Sequence, residues 1–394
     1  MTVQSFDLQR ARRETPGCER VLHFNNAGAA LMPEQVLRAV VDHLQLEAEI
    51  GGYEAAERYR ERVERVYTAA ASLIGCRPAE VAIVENATRA WDMAFYSIPF
   101  KPGDRILTAM AEYASNYIAY LQVSQRTGAI VQVIPNDEYG QISVKALREM
   151  VDERVKLISI THVPTNGGLV NPAAEIGKVA RQAGARYILD ACQSVGQMPI
   201  DVNEIGCDML STTGRKYLRG PRGTGFLYVR RELLESLEPP FLDLRAAKWI
   251  AKDRYEIRPD ARRFENWETN YAGKIGLGTA IDYALAWEIN TTWARISSLA
   301  RELRQRLAAL PGITLHDLGA QQCGIVTFTL SGKSAEEVRS ELAARKMNVS
   351  VSLPEDTRLD MDARGLGKIL RASVHYYNSE EEIVRFCNAL ADLK

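Results

Sequence analysis

Two residues that could hold a reactive carbonyl compound stand near the middle of the chain. Asp190 ends a short apolar run, and Lys216 follows 26 residues later in a loop of threonine, glycine and arginine. A lysine amine can bond covalently to an aldehyde, and a carboxylate can keep a ring nitrogen protonated. Thr213 and Arg215 add a hydroxyl and a guanidinium, which suit a phosphate. These residue types match the needs of an enzyme that uses pyridoxal phosphate (PLP).

Three motifs in this stretch resemble the class V aminotransferase family of fold-type I PLP enzymes. That family includes cysteine desulfurases, C–S lyases and isopenicillin N epimerase-like proteins. The motifs are residues 190–194 (Asp-Ala-Cys-Gln-Ser), 213–216 (Thr-Gly-Arg-Lys) and 220–225 (Gly-Pro-Arg-Gly-Thr-Gly). They also follow one another in the family's order, which makes agreement by chance improbable.

The order of apolar runs indicates an α/β fold. Strand-like runs alternate with helical stretches of roughly 10–15 residues between positions 80 and 229, and ligands of such folds bind at the carboxyl ends of strands. The resemblance implies a large, mostly parallel-sheet domain and a smaller C-terminal α+β domain. We expect the large PLP-binding domain at residues 22–270 and the small domain from residues 1–21 and 275–394.

The resemblance assigns part of the cofactor site residue by residue. A small-Thr pair at a strand-to-helix turn binds the PLP phosphate in the family, and here that pair is Ala87 and Thr88. Free N–H groups and the helix dipole favour an anion at such a turn. Tyr113 stands where relatives place an aromatic ring on the pyridine, usually histidine in the desulfurases. Thr165 or Asn166 would hydrogen-bond the PLP hydroxyl or the substrate.

The central motifs supply the remaining cofactor contacts implied by the resemblance. Asp190 would hold the pyridine nitrogen, and Gln193 would hydrogen-bond the phenolic oxygen. Thr213 and Arg215 would contact the phosphate. Lys216 would bond to the cofactor and, once substrate displaces it, act as general acid and base at the substrate Cα.

Some of these residues have an ordinary structural alternative. Asn86 or Thr88 could be a plain N-cap of the helix that the sequence predicts over residues 91–97. Tyr113 could be a core residue. Asn26 lies in an Asn-Asn-Ala-Gly cluster that is turn chemistry, although the family has a similar loop beside the substrate carboxylate.

A second motif points to the substrate. Residues 371–378 read Arg-Ala-Ser-Val-His-Tyr-Tyr-Asn and are followed by three glutamates. In the family this arginine holds the α-carboxylate of the substrate as a bidentate pair. We therefore expect Arg371, with Asn26 nearby, to bind an α-amino acid.

The positions of the cysteines argue against a desulfurase that transfers sulfur through its own thiol. Such enzymes need a mobile cysteine on the loop before the carboxylate arginine, and residues 349–361 contain none. Cys192 and Cys323 have the character of packing residues. The sequence favours a C–S lyase that cleaves a cysteine conjugate by β-elimination to thiol, pyruvate and ammonia. An aminotransferase or an epimerase is the alternative, and a non-enzymatic PLP-fold protein has little support.

Composition restricts the partners. The 394 residues carry a net charge of −1, which gives no electrostatic case for nucleic acid or an anionic membrane. No apolar run approaches a membrane span. The six cysteines have no metal-ligand spacing, so we expect no metal and a reducing cytoplasm. The resemblance also implies a homodimer with shared active sites, through residues near 262–270.

Overall fold

The computed structural model describes residues 6–393. The expected small domain also includes residues 1–5 and 394, which lie outside the described residues. Strands within residues 6–393 are β1 (Leu22–His23), β2 (Val81–Val84), β3 (Arg105–Thr108), β4 (Ile130–Val133), β5 (Val155–Thr161), β6 (Arg186–Asp190), β7 (Met209–Thr213), β8 (Gly225–Val229), β9 (Ala247–Ala251), β10 (Arg254–Ile257), β11 (Ile313–Leu315), β12 (Ile325–Leu330), β13 (Met347–Asn348), β14 (Ser350–Ser352) and β15 (Ile369–Ser373).

Helices precede, separate and follow these strands. They are α1 (Leu8–Arg13), α2 (Glu34–Ile50), α3 (Gly52–Arg58), α4 (Arg60–Ile74), α5 (Ala87–Phe95), α6 (Ala114–Thr127), α7 (Val144–Met150), α8 (Ala173–Ala183), α9 (Val202–Ile205), α10 (Tyr271–Ala286), α11 (Ile289–Ala308), α12 (Ala335–Ala344), α13 (Arg358–Ala363) and α14 (Glu380–Ala391). Short 3₁₀ helices cover Pro16–Glu19, Pro78–Glu80, Arg231–Ser236, Ala261–Phe264 and Pro354–Thr357.

The large sheet has seven strands in the order β2-β8-β7-β6-β5-β3-β4. Strand β8 runs antiparallel to both neighbours, while the pairs from β7 to β4 are parallel. At the carboxyl edge, Asp190 lies level with Thr161 of β5 and Ser211 of β7. The mostly parallel α/β fold expected from the sequence is therefore confirmed, and its strand ends converge on one edge.

Both faces of this sheet are covered, which explains the apolar runs in its strands. On one face, Trp91 of α5 stacks on Phe95 with ring centroids 4.6 Å apart, and Tyr120 of α6 meets both rings. On the other face, Tyr187 and Leu277 belong to the larger core cluster. Because both faces are buried, the polar side chains of Asp190 and its neighbours are held at the carboxyl edge of the sheet.

The start of α5 differs from the sequence-based expectation. The helix runs over Ala87–Phe95, whereas the sequence predicted residues 91–97. Asn86 caps it, because its side chain accepts a hydrogen bond from the Arg89 backbone N–H at 2.8 Å. The cap starts the helix one turn early, so Ala87 and Thr88 form its first turn.

A second sheet of four antiparallel strands has the order β11-β12-β15-β14. Strand β15 is central and carries Arg371, which lies opposite Thr327 of β12 and Ser350 of β14. The N-terminal segment packs here as well, since β1 pairs with β13 and Arg12 forms an ion pair with Glu382 at 2.8 Å.

Arg219 joins the loop that follows Lys216 to both ends of the chain. Its guanidinium donates to the Leu31 carbonyl at 2.8 Å, to the Thr15 hydroxyl at 2.5 Å and to the Tyr376 hydroxyl at 2.7 Å. It also lies over the ring of Tyr377, 4.5 Å from the centroid. The loop that carries Lys216 is therefore fixed on both sides.

A helix that crosses a membrane must be both long and apolar. Across residues 6–393, none combines the length and the apolar character needed to cross a membrane.

Gly225 permits the close approach of β8 to the start of α5. A Cβ added there would lie 2.5 Å from the Thr212 carbonyl oxygen and 3.0 Å from the Asn86 carbonyl carbon. Replacing Gly225 with alanine should lower the free energy of unfolding by about 1–3 kcal/mol through overpacking. Urea unfolding measures this, with Gly52→Ala as control, because a Cβ at Gly52 meets open space. Equal effects of the two substitutions would contradict the packing described.

Candidate active site

A cavity of about 380 Å³ opens at the carboxyl edge of the large sheet. Strand ends and the loops that follow them supply its walls. The lining residues are Asn86, Ala87, Thr88, Tyr113, Thr161, Val163, Thr165, Asp190, Cys192, Gln193, Thr213, Arg215 and Lys216. The sequence-predicted residues that the structure brings together here are thus Ala87, Thr88, Tyr113, Thr165, Asp190, Gln193, Thr213, Arg215 and Lys216.

Asp190 ends β6 and is 5% exposed. Its Oδ1 accepts a hydrogen bond from the Cys192 backbone N–H at 3.0 Å, and its Oδ2 accepts one from Asn116 Nδ2 at 3.0 Å. Both donors are neutral. Within residues 6–393, no lysine, arginine or histidine forms an ion pair with this carboxylate. A buried carboxylate without a counter-charge is costly, so the site favours a cationic ligand group at this point.

Lys216 lies in the loop after β7, half-buried at the cavity wall. Desolvation lowers the pKa of its amine, and the nearby Arg215 and Arg371 lower it further, although the Asp190 charge acts in the opposite direction. A lowered pKa increases the unprotonated fraction of the amine at neutral pH. Lys216 is therefore prepared to act as a nucleophile or a base.

One end of the cavity is suited to an anion. The first turn of α5, with Ala87 and Thr88, borders it, and helix N-termini present free N–H groups. The Thr213 hydroxyl and the Arg215 guanidinium line the same cavity. Arg215 is held in place because it donates to the Gly28 carbonyl oxygen. This arrangement provides both hydrogen-bond donors and a fixed positive charge.

Gln193 and Tyr113 also line this cavity. Gln193 Nε2 donates to the Ala27 carbonyl at 3.1 Å, while Gln193 Oε1 is buried and has no partner in the part of the chain that the structure describes. The Tyr113 ring is 36% exposed, so the structure does not place it in the core. A flat ring and an amide beside an open cavity are suited to an aromatic, polar ligand.

Arg371 reaches the cavity wall through Thr165. Its guanidinium is 7% exposed and donates to both the carbonyl and the hydroxyl oxygen of Thr165. Its Nε is buried without a hydrogen-bond partner among residues 6–393, and burial lowers the pKa of the group. A carboxylate ligand would satisfy this donor.

Two sequence-predicted residues do not line the cavity. Asn166 instead donates to the Thr357 hydroxyl at 3.0 Å, which ties its loop to the segment before α13. Asn26 is fully buried; it donates to the Ser373 carbonyl at 2.7 Å and accepts from the Tyr377 hydroxyl. For Asn26 these contacts match the turn alternative given above. For Asn166 the amide N–H is used within the protein, while its Oδ1 is buried without a hydrogen-bond partner among residues 6–393, so its contact with a ligand stays a prediction.

Three buried polar residues near Asp190 were not identified from the sequence. Glu112, Asn116 and Thr161 form a hydrogen-bonded group, and Asn116 connects it directly to Asp190. The signal available in the sequence was a glutamate four residues before an asparagine at the start of a helix. Glu112 lies two residues before α6 and Asn116 lies in its first turn, so the hydrogen bond between them spans the start of the helix.

These residues fit PLP on the evidence of their unsatisfied groups. The site contains a buried carboxylate without a cation, a lysine of lowered pKa, an anion-binding helix terminus and a buried acceptor on Gln193. A pyridine nitrogen, an aldehyde, a phosphate and a polar ring substituent are the complementary groups. Fold and site together define a PLP-dependent enzyme of the fold-type I class.

Comparisons with known proteins agree with this class. The family model described as "Aminotransferase class-V" matches residues 22–386, so the chain belongs to that family and uses PLP. A probable cysteine desulfurase of Xylella fastidiosa (strain 9a5c) is 31% identical, over 98% of this chain and 96% of the relative.

Solved structures share the fold over nearly the whole chain. Apo cysteine desulfurase from Thermococcus onnurineus NA1 has a TM-score of 0.92 at 24% identity, covering 100% of this chain and 99% of that one. A cystine C–S lyase in complex with its reaction product cysteine persulfide has a TM-score of 0.86 at 24% identity, covering 96% and 99%.

Lys216→Ala should abolish covalent retention of the cofactor, because no other lysine lines the described cavity. Borohydride reduction of the PLP-loaded protein followed by mass spectrometry measures this retention. Lys178→Ala is the matched control, since Lys178 lies on the surface of α8 in an ion pair with Glu175. Covalent label persisting in the Lys216 variant and disappearing in the control would contradict the assignment.

Proposed function

We propose that this enzyme is a C–S lyase that cleaves cysteine, cystine or an S-substituted cysteine by β-elimination. The observation that carries the proposal is the charge arrangement of the cavity. A lysine of lowered pKa stands between a buried carboxylate and a buried arginine, and the one cysteine among the described lining residues is a buried thiol rather than a thiolate. Such a site can remove an α-proton and let a sulfur leaving group depart.

In this proposal each residue has a distinct task. When bound, the cofactor supplies the electron sink that makes the substrate Cα–H acidic. Asp190 holds the pyridine nitrogen in its protonated form, and Lys216 removes the Cα proton. Thr88, Thr213 and Arg215 hold the phosphate by hydrogen bonds and charge. The C–S bond then breaks, the thiolate leaves and takes a proton, and water converts the three-carbon remainder to pyruvate and ammonia.

Arg371 determines that the substrate is an α-amino acid. Its unpaired Nε and its position beside Thr165 leave donors for a carboxylate at the cavity wall. Holding that carboxylate fixes the amino acid relative to Lys216, which is the orientation that proton removal requires.

The thiols argue for release of sulfur rather than transfer through the protein. Cys192 is the only cysteine among the residues that line the described cavity. Burial raises its pKa well above the ordinary value, so it is a thiol and a poor nucleophile. The segment before Arg371 has Asp356 and Thr357 near this site, and residues 349–361 contain no cysteine.

The comparisons support C–S chemistry in different ways. The Xylella relative is named a probable cysteine desulfurase, and one structural neighbour is a cystine C–S lyase with cysteine persulfide as product. Both names imply cleavage of a bond to the sulfur of a cysteine-type amino acid. The structure of this chain favours the outcome in which the sulfur leaves as a small molecule.

A product assay on the PLP-loaded enzyme tests the proposal. Cysteine, cystine and several S-substituted cysteines are supplied without a keto acid, and pyruvate and small-molecule sulfur are followed together. We expect the two to form in equal amounts. Alanine as product, with sulfur retained on the protein, would contradict the proposal, as would formation of the pyridoxamine cofactor or loss of optical activity alone.

Cys192→Ser separates the two fates of sulfur. Release into solution needs no protein thiol, so this variant should keep most of the pyruvate-forming activity with the best substrate of the assay. Loss of sulfur mobilisation in Cys192→Ser, with unchanged cofactor content, would instead assign Cys192 as the sulfur acceptor.

We further propose that residues 22–270 form the cofactor domain and that residues 1–21 and 275–394 form the small domain. The seven-stranded sheet lies between residues 81 and 229, and the four-stranded sheet lies between residues 313 and 373. The Arg371–Thr165 contact joins the second sheet to the cavity of the first. The substrate would thus bind where the two domains meet.

A homodimer with shared active sites also belongs to the proposal. One large apolar side chain is exposed within the stretch near 262–270 where the family resemblance expects the interface, and others are exposed in the segment before it. Such exposure is typical of interaction surfaces. These side chains are Phe241, Leu244, Trp249, Tyr255 and Trp267. Trp267 also borders a surface cavity of about 290 Å³ together with Tyr53.

Trp267→Asp should weaken self-association, because it places a charge on this apolar surface. Sedimentation equilibrium of the variant and the parent measures the change, with Trp249→Asp as a second position on the same surface. A parent enzyme that is monomeric at micromolar concentration would contradict the homodimer.

A further inference from the structure

Two buried carboxyl groups share one amide beneath the cavity. Asn116 Nδ2 donates one hydrogen to Asp190 Oδ2 at 3.0 Å and the other to Glu112 Oε1 at 3.0 Å. Glu112 is 3% exposed and Asn116 is also 3% exposed. Because both amide hydrogens are used, the orientation of Asn116 depends on both carboxyl groups at once.

Glu112 receives an unusually complete set of hydrogen bonds for a buried side chain. The Tyr113 backbone N–H donates to Oε1 at 2.9 Å, and the Thr108 hydroxyl donates to Oε2 at 2.9 Å. The Thr161 hydroxyl also donates to Oε1, and its backbone N–H reaches Oε2 at 3.3 Å. Donors from β3, β5 and the start of α6 therefore hold the carboxyl group, which suits an ionised form.

Burial nevertheless opposes the charge. Desolvation raises the pKa of Glu112 to about 7, with the Asp190 charge adding to the rise, whereas hydrogen bonds from Thr161 and Asn116 lower it. The titratable groups that face it are Asp190 on β6 and the Tyr120 phenol on α6. Tyr120 is protonated across the neutral range, because burial raises its pKa well above the ordinary value. Asp190 is thus the neighbouring group whose charge acts on Glu112.

We propose that Glu112 is a positioning residue for Asp190, acting through the Asn116 amide to hold the Asp190 carboxylate and to add negative charge behind it. The inference rests on the assignment of Asp190 to the pyridine nitrogen under the proposed function. A cation held by Asp190 offsets the repulsion between the two carboxylates and so favours ionised Glu112. By linkage, ionised Glu112 strengthens the hold of the protein on the protonated cofactor.

The sign of the pH dependence follows from this coupling. Without cofactor Glu112 titrates near pH 7, and with cofactor its pKa is lower, so binding below pH 7 must release a proton from Glu112. The affinity of the parent enzyme for PLP therefore increases as pH rises through about 7. A variant in which residue 112 cannot ionise lacks this increase. Each unit by which cofactor lowers the pKa corresponds to about tenfold in affinity.

The test compares Glu112→Gln with the parent enzyme. Apoenzyme is titrated with PLP at equilibrium from about pH 6 to about pH 8.5, and the ratio of the two dissociation constants is plotted against pH. Other titrating groups are common to both proteins and cancel in the ratio. We expect a ratio near one at the acidic end, rising to about tenfold weaker binding by Glu112→Gln at the alkaline end. A ratio that does not change with pH would overturn the inference.

Thr161→Val, Asn116→Ala and the Asn116→Ala/Glu112→Gln double variant test the same interaction by other routes. Thr161→Val removes a hydrogen bond that lowers the pKa of Glu112, so it should move the pH dependence upward, and it is available if Glu112→Gln fails to fold. Glu112→Gln should lose part of its effect in an Asn116→Ala background, because the bridge is already broken and only the charge interaction between the two carboxyl groups remains. Additive effects of the two changes would overturn the proposed route through Asn116.

Asp190→Asn distinguishes this inference from the function on which it rests. If Asp190→Asn binds PLP as the parent does, the assignment of Asp190 itself is wrong. If Asp190→Asn is impaired while Glu112→Gln binds normally at every pH, the assignment stands and only the role of Glu112 is overturned.

Discussion

The Asp190 carboxylate is buried at the end of β6, and in the described part of the chain only neutral donors satisfy it. A charge removed from water without a partner costs several kcal/mol, so the fold must supply stabilisation elsewhere or a ligand must supply the cation. The parallel strands bring Thr161 and Ser211 level with Asp190 and cover it from both sides. A cofactor with a ring nitrogen that can be protonated resolves this unfavourable arrangement.

Contacts of two other residues position the remaining parts of the site around that carboxylate. The antiparallel strand β8 approaches the start of α5 closely because Gly225 lacks a side chain, and this places the helix N-terminus at the cavity. Arg219 fixes the loop after Lys216 against segments from both ends of the chain. Lys216 is thereby kept in a desolvated position between opposing charges, where its amine loses its proton more readily.

Much of this could be predicted from the sequence, because strand ends and glycine turns are local signals. The structure ends β6 at Asp190 and places Lys216 and Thr213 at the same cavity. The predicted start of α5 was wrong by one turn, because the sequence offered two possible N-caps and the structure uses Asn86. The directions of Asn26 and Asn166 could not be predicted, because each is set by residues about 190 to 350 positions away. Glu112 was missed for the same reason: its significance comes from Asn116 reaching Asp190 across the sheet edge.

The proposed function depends most directly on Asp190 keeping the pyridine nitrogen of the bound cofactor protonated. Enzyme reconstituted with PLP labelled with ¹⁵N in the ring allows that nitrogen to be observed directly by NMR. We predict a protonated nitrogen at neutral pH in the parent enzyme and an unprotonated one in Asp190→Ala. An unprotonated nitrogen in the parent, or a protonated one that survives the loss of Asp190, would show that Asp190 does not control this nitrogen.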